Sequence, residues 1–116
     1  MNKIAIFGAG GFGREVACLL RKINEVKPTW NFVGFFDDGL EKGTATDYGP
    51  VLGGMAELNA VDYPLSVVVA IGAPKSIKNV VEQIHNPHIQ FPNIISPDTK
   101  WLDAKSVKMG KGNVVA

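Results

Sequence analysis

The stretch FGAGGFGRE, residues 7–15, decides the fold, because it joins an apolar run to a segment with helical periodicity. The apolar residues that precede it predict a short buried strand over residues 3–7. After Gly11, apolar side chains are spaced at i, i+3, i+4 and i+7, as on the buried stripe of a helix that packs on a sheet: Val16, Leu19, Leu20 and Ile23. Pro28 is expected to close this helix. A strand, a glycine-rich turn and a helix form the opening unit of an α/β fold.

A second strand is predicted over residues 30–36, which are rich in aromatic and β-branched side chains and stop at Asp37 and Asp38. A turn-rich loop, a brief strand and a short helix are predicted next, at residues 39–50, 51–53 and 55–61.

The apolar run LSVVVAIG, residues 65–72, predicts a central strand that is buried on both faces, as in parallel sheets. Pro74 suits the first turn of a further helix, whose apolar residues repeat the earlier spacing: Ile77, Val80, Val81 and Ile84. One more strand is predicted over residues 90–95. Strands that alternate with amphipathic helices predict right-handed crossovers, and hence a Rossmann-like α/β fold with a mostly parallel sheet and helices on both faces.

The glycine loop carries a ligand-binding pattern. Gly8, Gly10 and Gly13 spell G-x-G-x-x-G between the first strand and the first helix. The first glycine allows a tight turn, the second lets the backbone approach a phosphate, and the third lets the helix pack closely on the strand. The helix N-terminus, with its free N–H groups, then faces the anion. The loop predicts a phosphate-bearing ligand, to which Arg14 either adds a charge-assisted contact or contributes only surface charge.

Asp37 and Asp38 strengthen this prediction, because the end of the second strand lies beside the glycine loop in a doubly wound sheet. A carboxylate there can accept a hydrogen bond from a ribose hydroxyl or a base N–H. Alternatively, both carboxylates only cap the strand exit and hold the following loop. Gly72 ends the third long strand at the same edge and fits either a close approach to the ligand or an ordinary turn. A mononucleotide or nucleotide sugar fits better than a dinucleotide, since only about five strands are predicted.

Composition favours one globular domain and argues against several classes of function. Hydrophobic residues make up 46% of the chain and charged residues 20%. The net charge is +1, so neither nucleic acid nor an acidic membrane is predicted as a partner. Cys18 is the single cysteine, and no Cys and His residues have metal-ligand spacing, so no metal is predicted. The sequence has no signal-peptide pattern and no transmembrane-length segment, so we expect a cytoplasmic protein.

The tail has a different periodicity. Two series of residues are spaced six apart: Ile95, Trp101, Val107 and Asn113, and Pro97, Asp103, Met109 and Val115. Such a register predicts the start of a left-handed β-helix over residues 96–116. Asn113 departs from it, because it is polar in a series whose other members are apolar.

Five ordered segments resemble the sugar O- and N-acetyltransferases of the NeuD/PglD kind: IFGAGGFGRE, VGFFDD, VLGG, VVVAIG and NIISP. The similarity covers nearly the whole chain. It implies a Rossmann-like domain over residues 1–95 that binds a nucleotide sugar, followed at residues 96–116 by the beginning of a truncated left-handed β-helix.

The same resemblance implies the chemistry of the complete enzyme. The nucleotide sugar is often UDP-linked, acetyl-CoA is held between β-helix coils of neighbouring subunits in a homotrimer, and a histidine of the β-helix acts as general base. The implied substrate-binding positions here are Gly10, Gly11, Phe12, Asp37, Asp38 and Gly72, with Gly8, Gly13 and Arg14 as possible phosphate contacts.

Two positions in the loop and one in the tail depart from the family pattern. The family often has Ser and His where Gly10 and Phe12 stand, and I-H-P where residues 95–97 read ISP. His85 and His88 match no catalytic role and are expected to be solvated loop residues. We therefore expect no catalytic residue in this chain, and interpret it as part of a longer enzyme that binds substrate without catalysing by itself.

The residues alone leave two other functions open. Asp37 stands 24 residues after Gly13, a spacing compatible with a small NAD- or CoA-binding Rossmann module of regulatory function. Residues 99–116 could instead serve purely as an assembly element, because exposed end coils have unpaired edges.

Overall fold

The computed structural model describes residues 2–71, 74–92, 94–95 and 114–115. Helices and strands follow one another in the order β1 (Asn2–Phe7), α1 (Gly11–Val26), β2 (Trp30–Phe36), β3 (Val51–Gly53), α2 (Met55–Asn59), β4 (Leu65–Val69), α3 (Pro74–Gln83), β5 (Ile89–Gln90), β6 (Ile94–Ile95) and β7 (Val114–Val115).

Five of the strands form one parallel sheet in the order β3-β2-β1-β4-β5. β1 lies at the centre, with β2 on one side and β4 on the other. This order confirms the predicted Rossmann-like α/β fold. The chain moves outward from β1 to β2 and β3, and then crosses back to the opposite side of β1 to form β4.

Helices cover both faces of this sheet, because apolar side chains alternate along the central strands. Ile4 and Ile6 of β1 face α1 and pack in one cluster with its buried stripe: Val16, Ala17, Leu19 and Leu20. Ala5 and Phe7 point to the other face, where they share a cluster with Leu58 of α2. Val80 and Ile84, from α3 and the residue that follows it, pack at the border of that second cluster.

The carboxyl-terminal end of α1 is tied to the start of β2 by Asn24. Its side-chain amide donates to the Trp30 carbonyl (2.8 Å), and its oxygen accepts the N–H groups of Thr29 (3.0 Å) and Trp30 (2.9 Å). These bonds explain how a helix that ends before Pro28 returns directly into the sheet. They also fix how α1 lies on the sheet, and therefore where its first turn points.

Predicted boundaries differ from the structure where local hydrogen bonding changes. The helix predicted over residues 55–61 ends at Asn59, since the N–H of Ala60 bonds to the Glu57 carbonyl in a tightened last turn. The strand predicted over residues 65–72 ends at Val69, although the N–H of Ala70 still donates to the Phe7 carbonyl at 2.9 Å.

The single strand predicted over residues 90–95 is wrong. β5 pairs with β4 in the main sheet, whereas β6 pairs with β7 in a separate two-stranded parallel sheet. Pro92 lies between them and has no N–H to donate to a continuous ladder. Apart from Val114 and Val115, the β-helix predicted over residues 96–116 lies outside the described residues.

Two glycines of the loop are required by close packing at the ends of the strands. Gly8 has φ +112°, and a Cβ there would come within 2.6 Å of the Ala70 carbonyl oxygen at the end of β4. A Cβ on Gly13 would overlap the carbonyl oxygen of Gly8. The first turn of α1 therefore lies so close to the end of β1 that only hydrogen fits between them.

This packing predicts opposite effects of alanine at two neighbouring positions. Gly13→Ala should lower the free energy of unfolding by about 3 kcal/mol, because the methyl group meets backbone that cannot move aside. Gly11→Ala should leave it unchanged or raise it by roughly 0.5 kcal/mol, because alanine favours the helix and a Cβ there meets no atom within 4 Å. Urea unfolding followed by circular dichroism measures both. Equal stability of the two variants would contradict the close packing.

Candidate nucleotide site at the carboxyl edge of the sheet

The strands β1, β2 and β4 end side by side, and the chain leaves β1 and β4 towards opposite sides. In an open parallel sheet this reversal leaves a crevice outside the carboxyl ends of the strands, which is where ligands bind. The glycine loop occupies the middle of this edge. Its Gly8 N–H donates to the Phe36 carbonyl at 2.8 Å, and Gly8 itself contacts the end of β4.

The first turn of α1 presents backbone donors to this crevice. Gly10 is the N-cap residue and has an extended conformation (φ −80°, ψ −162°) without a capping side chain. The first helical bond beyond it runs from the Arg14 N–H to the Gly10 carbonyl at 3.0 Å, so the N–H groups at the start of the helix have no acceptor within it. A Cβ on Gly10 or Gly11 would meet no atom within 4 Å. Gly10, Gly11 and Phe12 are also exposed, so this turn borders open space.

Asp37 joins the glycine loop to the loop after β2. Its Oδ2 accepts the N–H of Ala9 at 2.9 Å, across 28 residues of sequence, and its Oδ1 accepts the N–H of Gly39 at 2.8 Å. The side chain is half-buried. A carboxylate can accept about four hydrogen bonds, so these two bonds leave it capacity for a ligand hydroxyl. The predicted neighbourhood of Asp37 and the glycine loop is thus present as a direct hydrogen bond.

Asp38 points to a different element. Its Oδ1 accepts the N–H of Met55, the first residue of α2, at 2.7 Å. Gly54 precedes this helix and has no side chain of its own for capping, and a Cβ on it would overlap Asp38 Oδ1. Asp38 therefore caps α2 from the end of β2. This contact matches the alternative in which the carboxylate holds structure, although the Asp38 side chain is also exposed.

Glu57 completes the N-terminal cap of α2. Its Oε2 accepts the N–H of Gly54 at 2.8 Å, and this backbone hydrogen bond is the main reason that the pKa of Glu57 lies below its usual value. The lowered pKa means that Glu57 stabilises the fold above the unfolded pKa, and that this contribution is lost as the pH falls through the folded pKa. Sequence reasoning missed this cap, although a glutamate three residues after a glycine at a helix start is a recognisable signal.

The other predicted site residues lie on the same edge or outside the described part. Phe12 and Arg14 are exposed in the first turn of α1. Gly72 is outside the described residues, but Ala70 and Ile71 just before it contact the position where a Cβ of Gly8 would lie. The structure thus brings the glycine loop, Asp37 and the end of β4 together.

The two histidines lie away from this edge. His85 and His88 are exposed in the segment between α3 and β5, where their N–H groups bond to Asn59 and Asn86 side chains. Cys18 is half-buried on α1. Within the described ranges, no group of three His, Cys, Asp or Glu residues could hold a metal ion. None of the helices in that same part of the chain is both long and apolar enough to span a membrane.

Comparison with known proteins agrees with this architecture. The model of a family described as the PglD N-terminal domain matches residues 3–84. The acetyltransferase domain of PglB from Neisseria gonorrhoeae FA1090, solved in complex with acetyl coenzyme A, is 29% identical with a TM-score of 0.68, over 84% of this chain and 46% of that chain. A second structure of the same domain is 28% identical with a TM-score of 0.69 over the same shares. This chain thus spans less than half of the solved domains. No curated protein sequence matches it significantly.

The cap on α2 predicts how two substitutions of Asp38 differ. Asp38→Ala should lower the free energy of unfolding by about 1 kcal/mol, because the Met55 N–H loses its acceptor. Asp38→Asn keeps an oxygen in the same place and should stay close to wild type. Thermal unfolding at neutral pH measures both. If the asparagine variant loses as much stability as the alanine variant, Asp38 stabilises the fold through its charge and not through the hydrogen bond to Met55.

Proposed function

The chain belongs to the PglD N-terminal domain family, and from this premise we propose that it binds the nucleotide-sugar substrate of an acetyl-CoA-dependent sugar acetyltransferase. The domain is related to acetyltransferases through its structural neighbours. The observation that carries the proposal is the Ala9 N–H to Asp37 bond of 2.9 Å, because it sets a carboxylate beside the exposed first turn of α1.

The two halves of this site suit the two polar parts of a nucleoside diphosphate. Backbone N–H groups from Gly10 to Phe12 and the positive end of the α1 dipole would hold the phosphates, with Arg14 in the same turn as a nearby cation. Asp37 and the free oxygen of Asp38 would accept hydrogen bonds from the ribose hydroxyls or the base N–H. A UDP-linked sugar provides each of these groups.

The charges of the site argue against coenzyme A as its ligand. This edge carries two carboxylates and one arginine, and coenzyme A is more negatively charged than a nucleoside-diphosphate sugar. Like charges this close oppose binding unless they are compensated. We therefore assign no described residue to acetyl-CoA, and place its site in the part of the enzyme that follows this domain in the related structures.

Catalysis belongs to that same part in this proposal. Acetyl-CoA, when bound there, supplies the acetyl thioester, and a base outside the described residues takes the proton of the sugar amine or hydroxyl. The contribution of this chain is to hold the nucleotide sugar in place, which removes much of the entropic cost of bringing two substrates together. A homotrimer with a β-helix that begins near residue 96 remains part of the proposal.

Thermal unfolding with four ligands tests this function. UDP and a UDP-linked amino sugar should raise the melting temperature by several degrees at about 100 times Kd, since a ligand that binds only the folded state stabilises it by about 2.7 kcal/mol at that concentration. Acetyl-CoA and NAD should leave it unchanged. A shift with NAD and none with UDP would favour the regulatory Rossmann module, and no shift with any ligand would contradict nucleotide binding.

Matched variants at Gly10 link the binding to the glycine loop. Gly10→Val places a branched side chain in the open space, and its extended backbone tolerates valine, so UDP affinity should fall at least about tenfold while the fold persists. Gly10→Ser supplies an N-cap oxygen that competes with the phosphates for the N–H groups of the first turn, so it should unfold at a higher temperature and bind UDP more weakly than wild type but more tightly than Gly10→Val. Titration calorimetry measures both, and unchanged affinity in Gly10→Val would remove the loop from the site.

A further inference from the structure

Phe12 is an aromatic side chain left exposed at the edge of the candidate site. It lies one residue before the buried Gly13, yet 41% of its surface is exposed. The two residues before it are glycines that border open space. A single exposed apolar residue is common on protein surfaces. Whether Phe12 contributes to ligand binding therefore depends on which part of the crevice it faces.

The helical phase of α1 places Phe12 on the side of β4. Ala17, Arg21 and Asn24 line a cleft with Phe32 and Tyr48, and the Arg21 guanidinium lies 5.0 Å from the ring centre of Tyr48. That flank of α1 therefore faces β2 and the loop after it.

Phe12 lies on the opposite flank. It precedes Leu19 by seven residues, which is about two helical turns, so the two side chains share one side of the helix. Leu19 is buried in the cluster that includes Val68 and Ala70, from β4 and its end. Phe12 continues this row into the first turn of α1, one residue before Gly13, which packs on Gly8 just past the end of β1.

The direction of the side chain agrees with this position. In a helix the Cα–Cβ bond tilts towards the N-terminus, so the ring of Phe12 leans towards the turn formed by Gly10 and Gly11. The phosphate-binding N–H groups of the proposed site belong to that turn. Asp37 lies on the other side, at the end of β2, where Leu40 is also exposed (42%) and its N–H bonds to the Asp37 carbonyl at 3.4 Å.

We propose that Phe12 is the residue that recognises the sugar: its ring packs against the C–H face of the hexose of the bound nucleotide sugar. This inference rests on the proposed function. If Asp37 and Asp38 hold the nucleoside on the β2 side and the first turn of α1 holds the diphosphate, the hexose lies beyond the diphosphate, on the β4 side. Phe12 is the aromatic residue at that position. An aromatic ring offers an apolar face and no hydrogen bond, so it selects a ring face rather than a hydroxyl pattern.

Paired titrations with UDP and a UDP-linked amino hexose test this assignment. Phe12→Ala should raise the Kd for the UDP-linked hexose roughly fivefold, which corresponds to the usual contribution of an aromatic contact, and should leave the Kd for UDP within about twofold. Phe12→Tyr keeps the ring and should keep the preference for the sugar. Leu40→Ala removes a side chain of similar exposure on the β2 side, and it should not alter the ratio of the two Kd values.

The outcomes separate the two proposals. Equal losses of UDP and UDP-hexose affinity in Phe12→Ala would place the ring on the nucleoside and overturn the assignment, and so would unchanged affinity for both. Wild-type protein that binds UDP no more weakly than the UDP-linked hexose would also overturn it, while nucleotide binding would stand. Wild-type protein that binds neither ligand would refute the proposed function itself. Thermal unfolding checks that each variant folds.

Discussion

The hydrogen bond from the Ala9 N–H to Asp37 Oδ2 is the interaction on which the candidate site depends. It joins the loop after β1 to the loop after β2, and the same carboxylate also accepts the N–H of Gly39. A charged acceptor strengthens both bonds relative to neutral ones. The bond from the Gly8 N–H to the Phe36 carbonyl already holds the ends of β1 and β2 together, and the Asp37 bond extends this connection to Ala9, next to the N-cap of α1. With it, the first turn of α1 and the Asp37 carboxylate lie side by side in the candidate site.

Close packing around the glycines makes this bond possible. Gly8 turns with a positive φ against Ala70, and Gly13 lets α1 approach the Gly8 carbonyl. A larger side chain at Gly8 would meet backbone at the end of β4, and one at Gly13 would push α1 away from the loop after β1. On the other side, Asp38 and Glu57 fix α2 below the same edge. The site is therefore held by close backbone contacts and by the hydrogen bonds of Asp37, Asp38 and Glu57 to backbone N–H groups.

The sequence predicts the sheet and its helices well because burial is periodic. The stripe of Val16, Leu19, Leu20 and Ile23 shows the helical period, and the run at residues 65–72 is nearly continuously apolar, as expected for a strand buried on both faces. The predicted closeness of Asp37 to the glycine loop is confirmed, since it follows from parallel strand order. The different roles of the two aspartates, in which Asp37 holds the glycine loop and Asp38 caps α2, could not be predicted. The Met55 N–H that Asp38 accepts is 17 residues away in the sequence. The orientation of Phe12 also required the structure, since it depends on which flank of α1 faces β2.

Backbone amide shifts on titration with UDP, recorded by NMR for the 116-residue chain, test most directly whether the loops joined by Asp37 form one nucleotide site. The largest shifts should fall on residues 8–14 and 37–40, and both groups should follow one binding curve, because one ligand touches both loops. Shifts confined to the cleft around Arg21 and Tyr48, or two groups that saturate at different concentrations, would contradict a single site at this edge.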